Sequence, residues 1–277
     1  MGMPTSCVHP SRRKGPLVIT MNEETIEQKH VVTEFDLSST PYEDHTHGET
    51  VIHEYLSSKQ SGASYVSLLL THADVLIGSY AFSKTQPKVP VTVDMTHRQL
   101  AKLVPGTHVS IVSRILRIGN AAIVGEVIFS ANDTVVATTH VTFSLSPRPQ
   151  DSGSIDLPLG VTRQGEKPIM DLHERLALRV IELGVVEVDL TAETINASKG
   201  LQGGLTAFTA EYAAESLLRP DEYLIDCDIR YLSGVRAGPG QARAHRIAPN
   251  LIRVEVVDLG KDDRVCVITT FRTGAWQ

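Results

Sequence analysis

Gly203-Gly-Leu-Thr-Ala-Phe-Thr-Ala-Glu-Tyr-Ala-Ala-Glu-Ser-Leu-Leu218 reads as an apolar helix opened by a glycine pair, and its flanks decide the fold. Upstream, a short helical segment from Ile169 and a turn at Gly184 lead into Val185-Val-Glu-Val-Asp-Leu190, which has the apolar rhythm of a half-buried strand. Downstream, residues 224–231, 240–247, 251–257 and 264–272 read as strands, the last two separated by the polar turn Gly260-Lys-Asp-Asp263. The order is strand, long helix, antiparallel meander. A β-sandwich has no such helix after its first strand, and a doubly wound fold alternates a helix with every strand.

The first half repeats that order. His30-Val-Val-Thr-Glu-Phe-Asp-Leu37 parallels Gly184-Val-Val-Glu-Val-Asp-Leu190, and residues 65–82 form the long apolar helix. Residues 89–95, 107–118, 121–130 and 134–145 then read as four strands. The endings agree as well, Thr139-His-Val-Thr-Phe143 against Val267-Ile-Thr-Thr-Phe271. On this alignment 38 positions separate Asp36 from Asp74, against 22 from Asp189 to Glu211, so the first half is expected to carry an insertion near 40–62. The polar run Ser146-Pro-Arg-Pro-Gln-Asp-Ser-Gly153 has linker composition. The expected organisation is a disordered tail (1–20), a first unit (21–146), a linker (147–168) and a second unit (169–277).

The 277 residues are 42% hydrophobic and 21% charged, ordinary for a globular protein of one large or two smaller domains. Net charge is −6, with no basic block beyond Arg12-Arg13-Lys14, which argues against nucleic acid as a partner. Cys7, Cys227 and Cys266 have no metal-ligand or CxxC spacing. No stretch reads as a membrane span, and no apolar region with a cleavage site follows the basic residues, so a cytoplasmic location is expected.

The head of the second helix carries a spaced motif. Asn196 is followed six residues later by Gln202-Gly203-Gly204, and Glu211 lies nine positions beyond Gln202. This resembles the hot-dog acyl-CoA thioesterases of the phenylacetate-pathway (PaaI-like) type, with Gln202 where that family has His. Strand 228–232 and Arg236-Ala-Gly238 resemble the family's next strand and turn. The resemblance implies an α+β double hot-dog fold, two antiparallel sheets each wrapped around a long helix. It also implies hydrolysis of an acyl-CoA thioester, with a helix carboxylate as base or nucleophile. The Gly203 N–H would donate to the oxyanion, Gln202 would shape the turn, and Asn196 would place water or carboxylate. Gly204, Arg230 and Arg236 are the candidates to meet the coenzyme A moiety, which enters as part of the substrate; no cofactor or metal is implied.

In the family the turn and the acid come from different units. In the first half Asp74 stands at the acid position, while Tyr65-Val66-Ser67 replaces the glycine turn and Lys59 replaces Asn. The combination of Asn196, Gln202 and Gly203 with Asp74 keeps every part; Lys59, Tyr65 and Val66 with Glu211 have lost the turn. Other readings stand beside these. Gly203-Gly204 also suits a tight packing turn, Glu215 a solvated helix face, and His45, His47 and His53 a mobile polar loop rather than a metal site. A hot-dog enoyl-thioester hydratase or dehydratase would need an Asp–His pair, for which Asp44-His45 and His72/Asp74 are the nearest candidates. A non-catalytic acyl-CoA-binding protein is the remaining alternative. Exposed sheet edges make a homo-oligomer possible in each case.

Overall fold

The computed structural model describes residues 31–146, 170–196 and 198–275. The expected tail, the linker, His30 and Cys7 lie outside them. All strands pair antiparallel in one twelve-stranded sheet. Its first half comprises β1 (Ser38–Pro41), β2 (Thr46–Val51), β3 (Val89–Gln99), β4 (His108–Ile118), β5 (Ala122–Ala131) and β6 (Thr134–Ser146). The second comprises β7 (Arg179–Glu182), β8 (Val185–Val188), β9 (Tyr223–Tyr231), β10 (Gly240–Ala248), β11 (Leu251–Asp258) and β12 (Arg264–Gly274). The order β1-β2-β4-β5-β6-β3-β9-β12-β11-β10-β8-β7 runs identically inward from both edges to the β3–β9 junction. Between β2 and β3 lies α1 (Val66–Thr85), between β8 and β9 lies α3 (Gly203–Glu215), and a single turn, α2 (Leu172–Arg175), precedes β7.

Two parts of the sequence reading change. Residues Val31–Phe35 form a 3-10 turn rather than a strand, because Val31 and Phe35 are buried together as one apolar plug. The counterpart of β8 is β2: β2 pairs with β4 as β8 pairs with β10. Fifteen positions separate Val51 from Val66 and Val188 from Gly203 alike, so residues 40–62 supply β1, β2 and the loop to α1 rather than an insertion. The strand was hidden because Thr46-His-Gly-Glu-Thr-Val51 is polar, despite burying Thr46, Gly48 and Thr50. The short edge strand β7, exposed at every residue, was likewise missed.

The core follows from the two helices. α1 is apolar all round and buries residues on every side, as a helix wrapped by a sheet must. Its twenty residues are long and apolar enough to cross a membrane, contrary to the reading that no stretch is, but 72% of that window is buried inside the sheet. Close approach has a local cause. A Cβ on Gly125 of β5 would lie 2.7 Å from Ile77 Cγ2, so glycine lets the helix settle onto the strand. The expected effect of Gly125→Val is a loss of roughly 1–3 kcal/mol through overpacking, read from urea unfolding.

Candidate active site at the helix heads

Helix heads expose N–H groups that have no partner within the helix. At α3, Gln202 is the N-cap and its Oε1 accepts the Leu205 N–H at 2.9 Å. The N–H groups of Gly203 and Gly204 have no hydrogen-bond partner among the described residues. Gly204 must be glycine, since a Cβ there would sit 2.0 Å from Thr71 Oγ1 on α1. Gly203 is held from the other side: the Tyr231 hydroxyl donates to its carbonyl at 3.0 Å. Asn196 is exposed and serves its own loop, its Oδ1 accepting from Ser198 N–H (3.0 Å), Ser198 Oγ–H (2.7 Å) and Gly200 N–H (3.3 Å). The structure therefore uses Asn196 to shape the approach to the turn.

Asp74 lies one turn beyond Thr71 on α1, half-buried. Its Oδ1 accepts the Thr92 hydroxyl of β3 at 2.5 Å, and Oδ2 has no partner among the described residues. Removal from water raises its pKa to about 6, against the opposing effect of the Thr92 bond. The buried Tyr231 hydroxyl is pushed upward by desolvation and then by the nearby charge of Asp74. Asp74, Tyr231, Thr71 and the glycine pair therefore gather at one place. Thr92 and Tyr231 were missed, because only the strand pairing brings them there.

The matching end of α1 is closed. Glu211 accepts the Val66 N–H and the Ser67 N–H through its two oxygens, each at 2.7 Å. These are the first two amides of α1, the counterparts of Gly203 and Gly204. An anion at a helix head is favourable, and two amides hold this one firmly. Glu211 is 2% exposed and both its oxygens are occupied, so the carboxylate expected as a catalytic candidate instead caps the helix. Glu215, expected on a solvated face, is 8% exposed. Its pKa is raised by burial first and then by Glu211 one turn earlier; burial also raises that of Glu211, against the opposing hydrogen bonds from Ser67 and Val66. Lys59 pairs with Asp171 at the surface.

The remaining candidates are scattered. Arg230 is neutralised by Asp94 at 2.6 Å across the β3–β9 junction, so its charge is not free for a phosphate. Arg236 is exposed, and its guanidinium has no acidic partner among the described residues. Its side chain lies along Gly200 in the loop before Gln202. His45 bonds Asp44, His47 bonds Ser110 and His53 bonds Asp36, so the three do not converge. His72 faces away from Asp74 to the Phe35 carbonyl, and burial lowers its pKa to about 4. Cys227 and Cys266 are buried thiols. One cluster escaped the sequence reading: Asp171, His173 and Glu174 bring possible ligand atoms within 4.8 Å of one another. A cleft of about 630 Å³ near Asp36, Glu49 and His108 contains no residue of either helix.

No family model and no curated protein matches the sequence. Solved structures match in shape. An acyl-ACP thioesterase from Bacteroides thetaiotaomicron superposes with a TM-score of 0.56 and 9% identity, over 83% of this chain and 98% of that one. For the 12:0-ACP thioesterase of Umbellularia californica the values are 0.58, 9%, 83% and 97%. A protein assigned as an oleoyl thioesterase, from Lactobacillus plantarum, gives 0.59, 13%, 84% and 97%. This chain has their hot-dog fold. At such identities the likeness speaks for the fold and leaves the chemistry to the site.

The Glu211–Glu215 pair makes stability depend on pH. Glu215 takes up its proton more readily folded than unfolded, where its value is the ordinary 4.5. Its contribution is full below that value and is lost as pH rises through the raised folded value. Glu215→Gln, which mimics the protonated form, is therefore expected to raise Tm by about 2–4 °C near pH ~8, and by much less near pH ~5, in paired thermal scans.

Proposed function

We propose that the chain is a tandem pair of hot-dog units that hydrolyses an acyl thioester at the head of α3. The observation that carries this reading is an asymmetry. The amides of Gly203 and Gly204 are open beside an Asp74 with a free oxygen, whereas the equivalent amides of α1 are filled by Glu211. An open amide pair at a helix head suits the negative charge that develops on a thioester oxygen. A carboxylate with a pKa of about 6 is ionised at neutral pH yet basic enough to take a proton from water.

The steps follow from these roles. Water adds to the thioester carbonyl carbon, its proton passes to Asp74 Oδ2, and the carbonyl electron pair moves onto oxygen beside the glycine amides. Collapse of this intermediate breaks the C–S bond, and the thiolate receives the proton back from Asp74. The products are a carboxylic acid and a thiol. Coenzyme A is the proposed carrier, with the free Arg236 guanidinium near the approach loop as the group to meet a phosphate. The acyl-ACP thioesterases of like fold present the same thioester chemistry on a protein carrier.

Thiol release from acyl-CoAs of graded chain length tests the reading. Asp74→Asn is expected to lower kcat/KM by about 100-fold or more, and Glu211→Gln far less once folded protein is counted. The wild-type kcat/KM should rise with pH through about 6, and this limb should be absent in Asp74→Asn. Equal small effects of both substitutions would overturn the assignment.

A further inference from the structure

The open head of α3 has a feature that its closed counterpart lacks. A peptide unit joins the carbonyl of one residue to the N–H of the next in a single rigid plane. The Gly203 carbonyl and the Gly204 N–H therefore turn together, and the Tyr231 hydroxyl donates to that carbonyl at 3.0 Å. Two successive glycines are the backbone least able to hold such a plane by themselves. At the head of α1 the matching residues are Val66 and Ser67, and Glu211 fixes their amides directly. The β3–β9 pairing is centred on Thr96–Asp228, which makes Gln99 the counterpart of Tyr231. Gln99 commits its side-chain amide to His97 and to the Ala101 carbonyl. Among the described residues, a hydroxyl anchor is thus found at the head whose amides are open and not at the other.

We propose that Tyr231 is a positioning residue of the reaction, holding the Gly203–Gly204 peptide so that the Gly204 N–H points at the thioester oxygen and donates to it more strongly. The assignment rests on the reading of the α3 head as the site where the oxyanion forms. A hydrogen bond to the carbonyl of a peptide polarises the whole unit, and its N–H becomes a better donor; such strengthening is about 10–30% per bond. A donor already aimed when charge develops needs no reorganisation at that moment. Tyr231 acts through the peptide and keeps its proton throughout: the water proton goes to Asp74 Oδ2 and returns to the departing thiolate.

The surroundings hold the tyrosine and the glycines in one arrangement. Tyr231 is the last residue of β9 and pairs with Val267 of β12, so the sheet fixes its backbone. Its Cε1 lies 3.5 Å from where a Gly203 Cβ would stand. Thr71 of α1 fills the corresponding place at Gly204, with its own hydroxyl committed to the Ser67 carbonyl at 2.7 Å. The glycine pair is therefore clamped between β9 and α1, while its two N–H groups have no partner among the described residues. Burial, and then the charge of Asp74, push the Tyr231 phenol upward, so it stays protonated and a donor while Asp74 is ionised.

The experiment combines thiol release from an acyl-CoA with the amide proton resonance of Gly204 in protein labelled with 15N-glycine, for wild type, Tyr231→Phe and Asp74→Asn. Tyr231→Phe keeps the ring and removes the donor. It is expected to lower kcat by roughly tenfold with KM little changed, and to move the Gly204 resonance upfield. Binding of an alkyl-CoA thioether, which has no carbonyl, should be unaffected. If Asp74→Asn loses activity while folded Tyr231→Phe keeps the wild-type kcat and Gly204 resonance, the Tyr231 assignment falls and the α3 site stands. If Asp74→Asn keeps the wild-type rate, the reading of the site falls and the Tyr231 assignment with it. A slow Tyr231→Phe with an unmoved Gly204 resonance, or with thioether binding weakened in step, assigns Tyr231 to packing and overturns the proposal. Should Tyr231→Phe not fold, Tyr231→3-fluorotyrosine decides, since it keeps the hydroxyl and makes it a stronger donor: the Gly204 resonance is expected to move downfield, and an unmoved resonance overturns the assignment.

Discussion

The unsatisfied amides at the heads of two packed helices are the constraint on which the rest of the site depends. α1 and α3 lie alongside each other so that each head meets the middle of the other: Val66 and Ser67 against Glu211, and Gly204 against Thr71. A buried helix head needs a partner for its donors. At α1 that partner is internal and permanent, a glutamate whose two oxygens match two amides. At α3 the acid is one methylene shorter and is drawn to Thr92 instead. The same packing geometry thus yields one filled head and one open head.

The sheet junction makes that geometry hold. β3 and β9 pair through Asp94–Arg230, Met95–Ile229, Thr96–Asp228, His97–Cys227 and Arg98–Asp226, merging two six-stranded halves. Salt bridges Arg230–Asp94 and Arg98–Asp228 flank the seam on side chains that keep partial exposure, so they contribute to register more than to net stability. The buried Met95, Ile229 and Cys227 contribute the apolar area. Because Thr92 and Tyr231 both lie just beyond the Asp94–Arg230 end of this seam, the joint that unites the halves also brings both side chains to the site.

The two halves divide the work. Glu211 and Glu215 form a buried acidic pair in which Glu211 holds the head of α1, and burial raises both acids' affinity for a proton. That arrangement serves folding. Asp74 keeps some solvent access and an Oδ2 without a partner among the described residues, which is the basis of the chemistry proposed for it. Likeness of shape to acyl-ACP thioesterases speaks for the fold, and the acids at the two heads are read from this chain's own residues.

Much of the layout was legible in the residues. The helices 65–82 and 203–218 and nine of the twelve strands follow from apolar runs, glycines and spacing. The polar strand Thr46–Val51 was not legible, because its buried positions are threonine and glycine, which carry no hydrophobic signal. Nor were the contacts of Thr92 with Asp74 and of Tyr231 with Gly203, which depend on a bulge and on a strand junction between residues more than a hundred positions apart. The sequence by itself determined which amides and acids are present and how far apart along the chain they lie. Only the tertiary structure decided which acid oxygen meets which donor, because one methylene and one slipped strand register set distances that spacing does not encode.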